Sequence, residues 1–231
     1  MKTITETDEA FICDIQAPCF QQLSKEEAEH IRSSKTQVFF RKGDTLTKQG
    51  AFASYVLFLI KGVVKQYVEG SDNRSFNFRI VMPGDFIGLS SVFSNNIYTY
   101  STSALIDCQA ILIEKDSLEK VLRENGAFSF GLTRRYCAQN ADLHEVLQNQ
   151  LFKQMNGRLA GTLLYLNKLK KGQPNIFQLL TRKEIADFAG ISTESAVKLL
   201  KTFEKESLIE LQDKDITLVN EENIREIYKR G

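Results

Sequence analysis

Histidine is scarce in this chain: only His30 and His144 occur in 231 residues, and neither sits in a recognisable ligand motif. General acid–base chemistry would therefore have to rest on carboxylates. A P-loop, a dinucleotide fingerprint, a nucleophile elbow and a metal-spaced His/Cys cluster are also missing, so no enzyme class is supported. No charge of one sign dominates: 30 Lys and Arg face 29 Asp and Glu, for a net charge of +1. That balance excludes a strongly basic nucleic-acid binder, so any positive patch must arise by placement. The longest strongly apolar run, Tyr55 to Ile60, is far too short to cross a bilayer. The N-terminus carries Glu6, Asp8 and Glu9 and shows no secretory signal. The four cysteines (13, 19, 108 and 137) are therefore expected as reduced thiols in a cytoplasmic protein. What is plentiful is core material: 42% of residues are hydrophobic and 16 are Phe, enough for one large or two smaller domains.

The most informative stretch runs from Leu180 to Leu211, where two short helices meet at a tight turn. Thr181 and Glu184 form a T-x-x-E capping box that marks the first start. Ile185, Phe188 and Ala189 share a face, and Ala189-Gly190-Ile191 makes the turn. Ser192 caps the second helix, whose buried stripe is Ala196, Leu199, Leu200 and Phe203. Thr193, Glu194, Ser195, Val197, Lys198 and Lys201 are left facing outward, and short polar and lysine side chains there suit base edges and phosphates in a major groove. Alternating residues 208–211 and 216–219 around Asp213-Lys214-Asp215 predict a β-hairpin wing. Residues 157–231 hold 13 basic and 11 acidic residues, so Arg182, Lys183, Lys198, Lys201 and Lys205 must cluster to attract a duplex.

From about Val38 to Glu114 the texture changes to short apolar alternations punctuated by glycines at 43, 50, 62, 84 and 88. Strands of that length and turn spacing predict a sandwich or barrel. The run Phe40-Arg-Lys-Gly43-Asp-Thr-Leu46-Thr-Lys-Gln-Gly50, then residues 55–62, then Pro83-Gly-Asp-Phe-Ile-Gly88 resembles the cyclic-nucleotide-binding-type double-stranded β-helix. Joined to the C-terminal module, it resembles the Crp/Fnr family of bacterial transcription regulators over residues 20 to 225. The expected fold class is α+β. A jelly-roll-like sensory barrel with an N-terminal arm (1–125) precedes a dimerisation helix and hinge (126–156) and a winged helix-turn-helix (157–231).

Between the two regions, Leu132, Tyr136, Leu143, Leu147 and Leu151 recur at helical spacing. The stripe either faces the barrel of its own chain or, as the resemblance implies, pairs with a second copy, with Asn140 fixing register. Met155-Asn156-Gly157 is the expected hinge, with the first helix of the DNA module starting from Arg158 onward. The resemblance further implies a homodimer on a two-fold-symmetric operator, with RNA polymerase as a partner.

The effector is not legible. Cyclic-AMP-binding relatives follow PGDFIG with a glutamate, an arginine and a serine around the ligand; here Leu89 replaces the glutamate and no arginine lies between Gly88 and Tyr100. A buried phosphate without a fixed cation is costly, so cyclic AMP is not the expected signal. Phe86, Gly88, Leu89, Ser90, Thr99 and Tyr100 are the candidate pocket. Cys13 and Cys19 resemble part of the oxygen-sensing branch's iron–sulfur pattern, but a third N-terminal cysteine is absent and Cys108 falls about three residues early. Neither an iron–sulfur cluster nor haem is predicted, although a haem or redox gas sensor, or a module working through protein contacts, stays open as an alternative. On the reading helix, the resemblance assigns Glu194 to accept from cytosine N4, while Lys198 stands where the family has arginine. Thr193 and Val197 depart from the family's patterns, so neither familiar operator consensus is expected.

Overall fold

The computed structural model describes every residue except 6, 7, 9–19, 72 and 73, so Cys13 and Cys19 lie outside the described residues. Strand β1 (Lys2–Ile4) and a 3-10 turn (Phe20–Gln22) precede helix α1 (Lys25–Ser33), which a Ser24/Glu27 capping box starts. The strands β2 (Lys35–Phe40), β3 (Thr45–Thr47), β4 (Tyr55–Lys61), β5 (Val64–Glu69), β6 (Ser75–Val81), β7 (Phe86–Ile87), β8 (Ser101–Ala104) and β9 (Cys108–Glu114) follow. They form a five-stranded sheet in the order β1-β2-β9-β4-β7 and a four-stranded sheet in the order β3-β8-β5-β6. Helices α2 (Lys115–Glu124) and α3 (Gly126–Phe152) come next.

The run Tyr55 to Ile60 is apolar without interruption because β4 is covered on both faces. Its Val56 and Phe58, with Ile111 and Ile113 of β9, pack against Ile31 of α1, Leu118 and Val121 of α2, and Phe128 and Leu132 of α3. The alternate residues Leu57 and Leu59, with Cys108 and Ala110, pack against Val64, Val81 and Ala104 of the other strands. One turn shows why glycine is needed: Gly62 has φ +103°, and a Cβ there would meet Cys108 Sγ and lie 2.8 Å from the Asp107 carbonyl oxygen.

The chain divides into two compact units, Met1–Glu69 with Arg79–Asn140, and Gly70–Phe78 with Ala141–Gly231. The expected separate segment 126–156 is not a unit of its own, since the boundary falls within α3. The second unit holds α4 (Met155–Leu169), α5 (Ile176–Leu179), α6 (Arg182–Ala189), α7 (Thr193–Lys205), strands β10 (Ile209–Gln212) and β11 (Asp215–Leu218), and α8 (Glu221–Arg230). The residues expected as the hinge lie inside a helix instead. The helical ladder breaks at Lys153 and Gln154, and Met155-Asn156-Gly157 already belongs to α4. Gly157 serves a close approach instead: a Cβ there would lie 2.6 Å from the Gly231 carbonyl carbon. The sequence signal was real, but its cause is packing.

Candidate nucleic-acid interface and sensory barrel

In the second unit the capping box is complete. Thr181 Oγ1 accepts from the Glu184 amide at 3.2 Å, and Glu184 Oε2 accepts from the Thr181 amide at 2.7 Å. Helix α6 ends at Gly190 in the left-handed conformation (φ +62°), and Ser192 starts α7 by accepting from the Ser195 amide at 3.1 Å. Ile185, Ala186, Phe188 and Ala189 of α6 and Ala196, Leu200 and Phe203 of α7 are buried, which fixes the azimuth of α7. Thr193, Glu194, Lys198 and Lys201 are consequently exposed along one side, with Ser195 and Val197 half-buried at its edge. The wing is an antiparallel pair in which Ile209 faces Leu218 and Gln212 faces Asp215, turning through Asp213 at φ +51°.

Arg182 departs from the expected phosphate-facing role. Its guanidinium is half-buried and donates from Nη2 to the Asp213 carbonyl at 3.0 Å, bracing the wing turn against the start of α6. Lys183 is held by Asp187 at 2.9 Å, which leaves Lys198, Lys201 and Lys205 as the exposed basic side chains of α7.

In the first unit the six residues expected to form one pocket are dispersed. Phe86 is core, packed on Phe58 and Phe20 with ring centroids at 4.9 and 5.9 Å, because β7 pairs with β4 and turns it inward. Thr99 is exposed. The Gly88 amide donates to the Tyr100 hydroxyl at 2.8 Å, and the Tyr98 hydroxyl donates to the Tyr55 carbonyl at 2.7 Å. The Tyr98 ring lies against Gly88 so closely that a Cβ there would be 2.6 Å from it. Burial raises both phenols, that of Tyr98 to about 12, so they remain neutral at physiological pH. Leu89 and Ser90 instead line a separate groove with α2 and α3, which nothing in the sequence pattern had marked.

Pro83-Gly84-Asp85 opened one of the runs that carry the resemblance, with no charge partner marked for Asp85. In the structure Asp85 also accepts from Arg79 Nη2 at 2.9 Å and Arg135 Nη2 at 3.0 Å, and Arg135 donates to the Gly84 carbonyl at 2.7 Å. This ties α3 to the β6–β7 turn.

Along α3 the apolar stripe changes environment. Leu132 is 3% exposed and packs with Phe128 on its own barrel, so it departs from the expected pairing face. Tyr136, Asn140, Leu143, Leu147 and Leu151 are exposed, Leu151 at 71%. Sequence spacing alone could not separate the two because both fall on the same helical repeat. Of the other candidate ligands, Cys108 is buried, its thiol pushed up to about 11 by desolvation, while Cys137 is exposed on α3. Among the described residues no group of three or more His, Cys, Asp or Glu side chains is arranged to hold a metal ion. No helix among them is long and apolar enough to cross a membrane.

Residues 37–125 match the cyclic nucleotide-binding domain, and residues 157–227 match the Crp-like helix-turn-helix domain. A CRP-like cAMP-activated global transcriptional regulator of Mycobacterium tuberculosis is 24% identical, the alignment covering 90% of this chain and 95% of that protein. FixK2 of Bradyrhizobium japonicum superposes with a TM-score of 0.73 at 21% identity, over 84% of this chain and 96% of that one. The c-di-GMP responsive global regulator CLP of Xanthomonas campestris also gives 0.73, at 18% identity over 84% and 99%. With a β-rich sensory unit, a long helix and a winged helix-turn-helix in this order, the chain belongs to the Crp/Fnr family of non-enzymatic, DNA-binding transcription regulators with a ligand-sensing domain.

Proposed function

We propose that the chain acts as a homodimer joined along the exposed face of α3, reads a two-fold-symmetric operator with α7, and responds to a signal other than a cyclic nucleotide. The observation that carries the DNA-reading assignment is the open side of α7, where Thr193, Glu194, Lys198 and Lys201 stay exposed while the opposite side is locked into the core. Glu194 is suited to accept from cytosine N4, and Lys198 and Lys201 to meet guanine acceptors or phosphates. Three exposed leucines at 143, 147 and 151 support pairing of α3, since an isolated helix gains nothing from an apolar stripe in water.

The proposed signal follows from the barrel. The proteins this chain resembles include both a cAMP-activated and a c-di-GMP responsive regulator, so the family does not fix the ligand. Here the Gly88 amide is taken by Tyr100, Tyr98 fills the space beside it, and no arginine from 88 to 100 could balance a phosphate. The proposal assigns no resident metal or haem, places the protein in the cytoplasm and takes RNA polymerase as its downstream partner. Selection of bound sequences from a random DNA pool tests it. The expected result is a two-fold-symmetric motif whose half-sites lie about one helical turn apart. An asymmetric or absent motif would refute the reading, and micromolar cyclic AMP binding by calorimetry would refute the choice of signal.

A further inference from the structure

The space that the barrel lacks beside Gly88 exists on the other side of the 3-10 turn Leu89–Val92, wholly within the first unit. A groove of about 1000 Å³ opens there between that turn, α2 and the first half of α3. That size is at the upper end for small-molecule sites. Its walls are apolar, with Leu89, Phe93, Leu122 and Tyr136 prominent, and the Phe93 ring is 73% exposed at the rim.

The polar groups define what the groove would accept. The Arg123 Nε and Nη2 donate to Glu119 Oε1 at 3.0 and 2.7 Å, so the one cation and one anion among the described residues that line the groove already neutralise each other. A charged ligand would gain attraction from one and repulsion from the other. Thr133 and Ser129 hydroxyls donate to the Ser129 and Leu122 carbonyls, which leaves their lone pairs as acceptors. Two aromatic rings, from Phe93 and Tyr136, favour a planar guest by offset or edge-to-face stacking.

We infer that this groove is a binding site for an uncharged aromatic small molecule with one or two hydrogen-donating groups, and that its occupancy couples the 3-10 turn to α3. The inference rests on the sensory role proposed above for the barrel and gives it a place. A ligand there touches Leu89 and Phe93 on one side and Tyr136 on the other, so it has a direct hold on the helix whose outer face is offered for pairing. No such contact is available from the space beside Gly88, which the chain's own tyrosines occupy.

Nile red, an uncharged aromatic dye that brightens in apolar surroundings, is a suitable probe for the full-length protein. Thr133→Trp fills the groove from an exposed position, and Phe52→Ser removes an exposed aromatic ring elsewhere in the same unit as a control. Circular dichroism establishes that both variants fold. The expected result is saturable Nile red binding weakened about tenfold or more by Thr133→Trp and unchanged by Phe52→Ser. Equal binding by wild type and Thr133→Trp, or loss in Phe52→Ser, overturns the site. So does affinity that falls as protein concentration rises through dimerisation, because a second copy would then be the occupant. Operator affinity is measured separately with and without the dye. If the dye binds in the groove but leaves DNA affinity unchanged, the site stands and the sensory reading fails.

Discussion

The pairing of α3 can be tested by trimming its exposed leucines without touching the core. Leu143 and Leu147 keep 39% and 49% of their surface exposed in the single chain and neither is a buried core residue, so cutting both to alanine costs the chain's own packing little. Full burial of a leucine side chain is worth about 2 kcal/mol, so covering the exposed remainder contributes roughly 1 kcal/mol per position. Alanine forfeits about two-thirds of that, and a symmetric pair counts each position twice, giving about 2–3 kcal/mol in all. The dimer dissociation constant of Leu143→Ala/Leu147→Ala should therefore rise by roughly 30- to 150-fold. Sedimentation equilibrium across a concentration series reads this directly, and thermal unfolding of the dissociated protein checks that the chain itself is unharmed. Operator affinity at low protein concentration should fall in parallel. A dimer of unchanged affinity would refute the assignment of this face, whatever the operator data showed.

Glu194→Ala should relax discrimination at one base pair by about 1–3 kcal/mol, whereas Lys201→Ala should weaken specific and random DNA alike, as paired titrations against operator and scrambled duplex would reveal. Gly62→Ala should cost roughly 2–4 kcal/mol in urea unfolding, since the new Cβ meets both an unfavourable φ of +103° and the Cys108 strand. The Cys108 thiol, raised to about 11, should resist iodoacetamide at pH 8 while Cys137 reacts, with peptide mapping as the readout. Because the folded thiol titrates above the unfolded one at 9.0, its contribution to stability is complete below pH 9 and is lost as pH rises towards 11.

Elements whose cause is local were legible in the chain. The Thr181/Glu184 box, the Gly190 turn and the Ser192 cap depend on residues within a few positions of each other, and each occurs where its pattern placed it. The strand character of residues 55–60 was legible as well, but that both faces of β4 are buried shows only in its packing. What eluded the sequence depends on distant partners. Leu132 and Leu147 share one periodicity, yet only the barrel's Phe58 and Ile111 neighbourhood decides that Leu132 turns inward. Gly157 looked like a flexible joint until Gly231 was seen against it. Arg182 carried the right charge for a phosphate, but its reach to the Asp213 carbonyl requires knowing where the wing folds. The groove joins three segments separated by up to about forty residues, and no motif announces such a meeting.

The grip of Asp85 on Arg135 sets the rotation of a rod at a point close to its anchored end. That grip lies within the first unit, where Phe128 and Leu132 already hold the same stretch of helix in the core. Two guanidiniums, from Arg79 and Arg135, converge on the single Asp85 carboxylate. Removing that one negative charge would leave two positive ones side by side, so the turn would repel the helix it now holds.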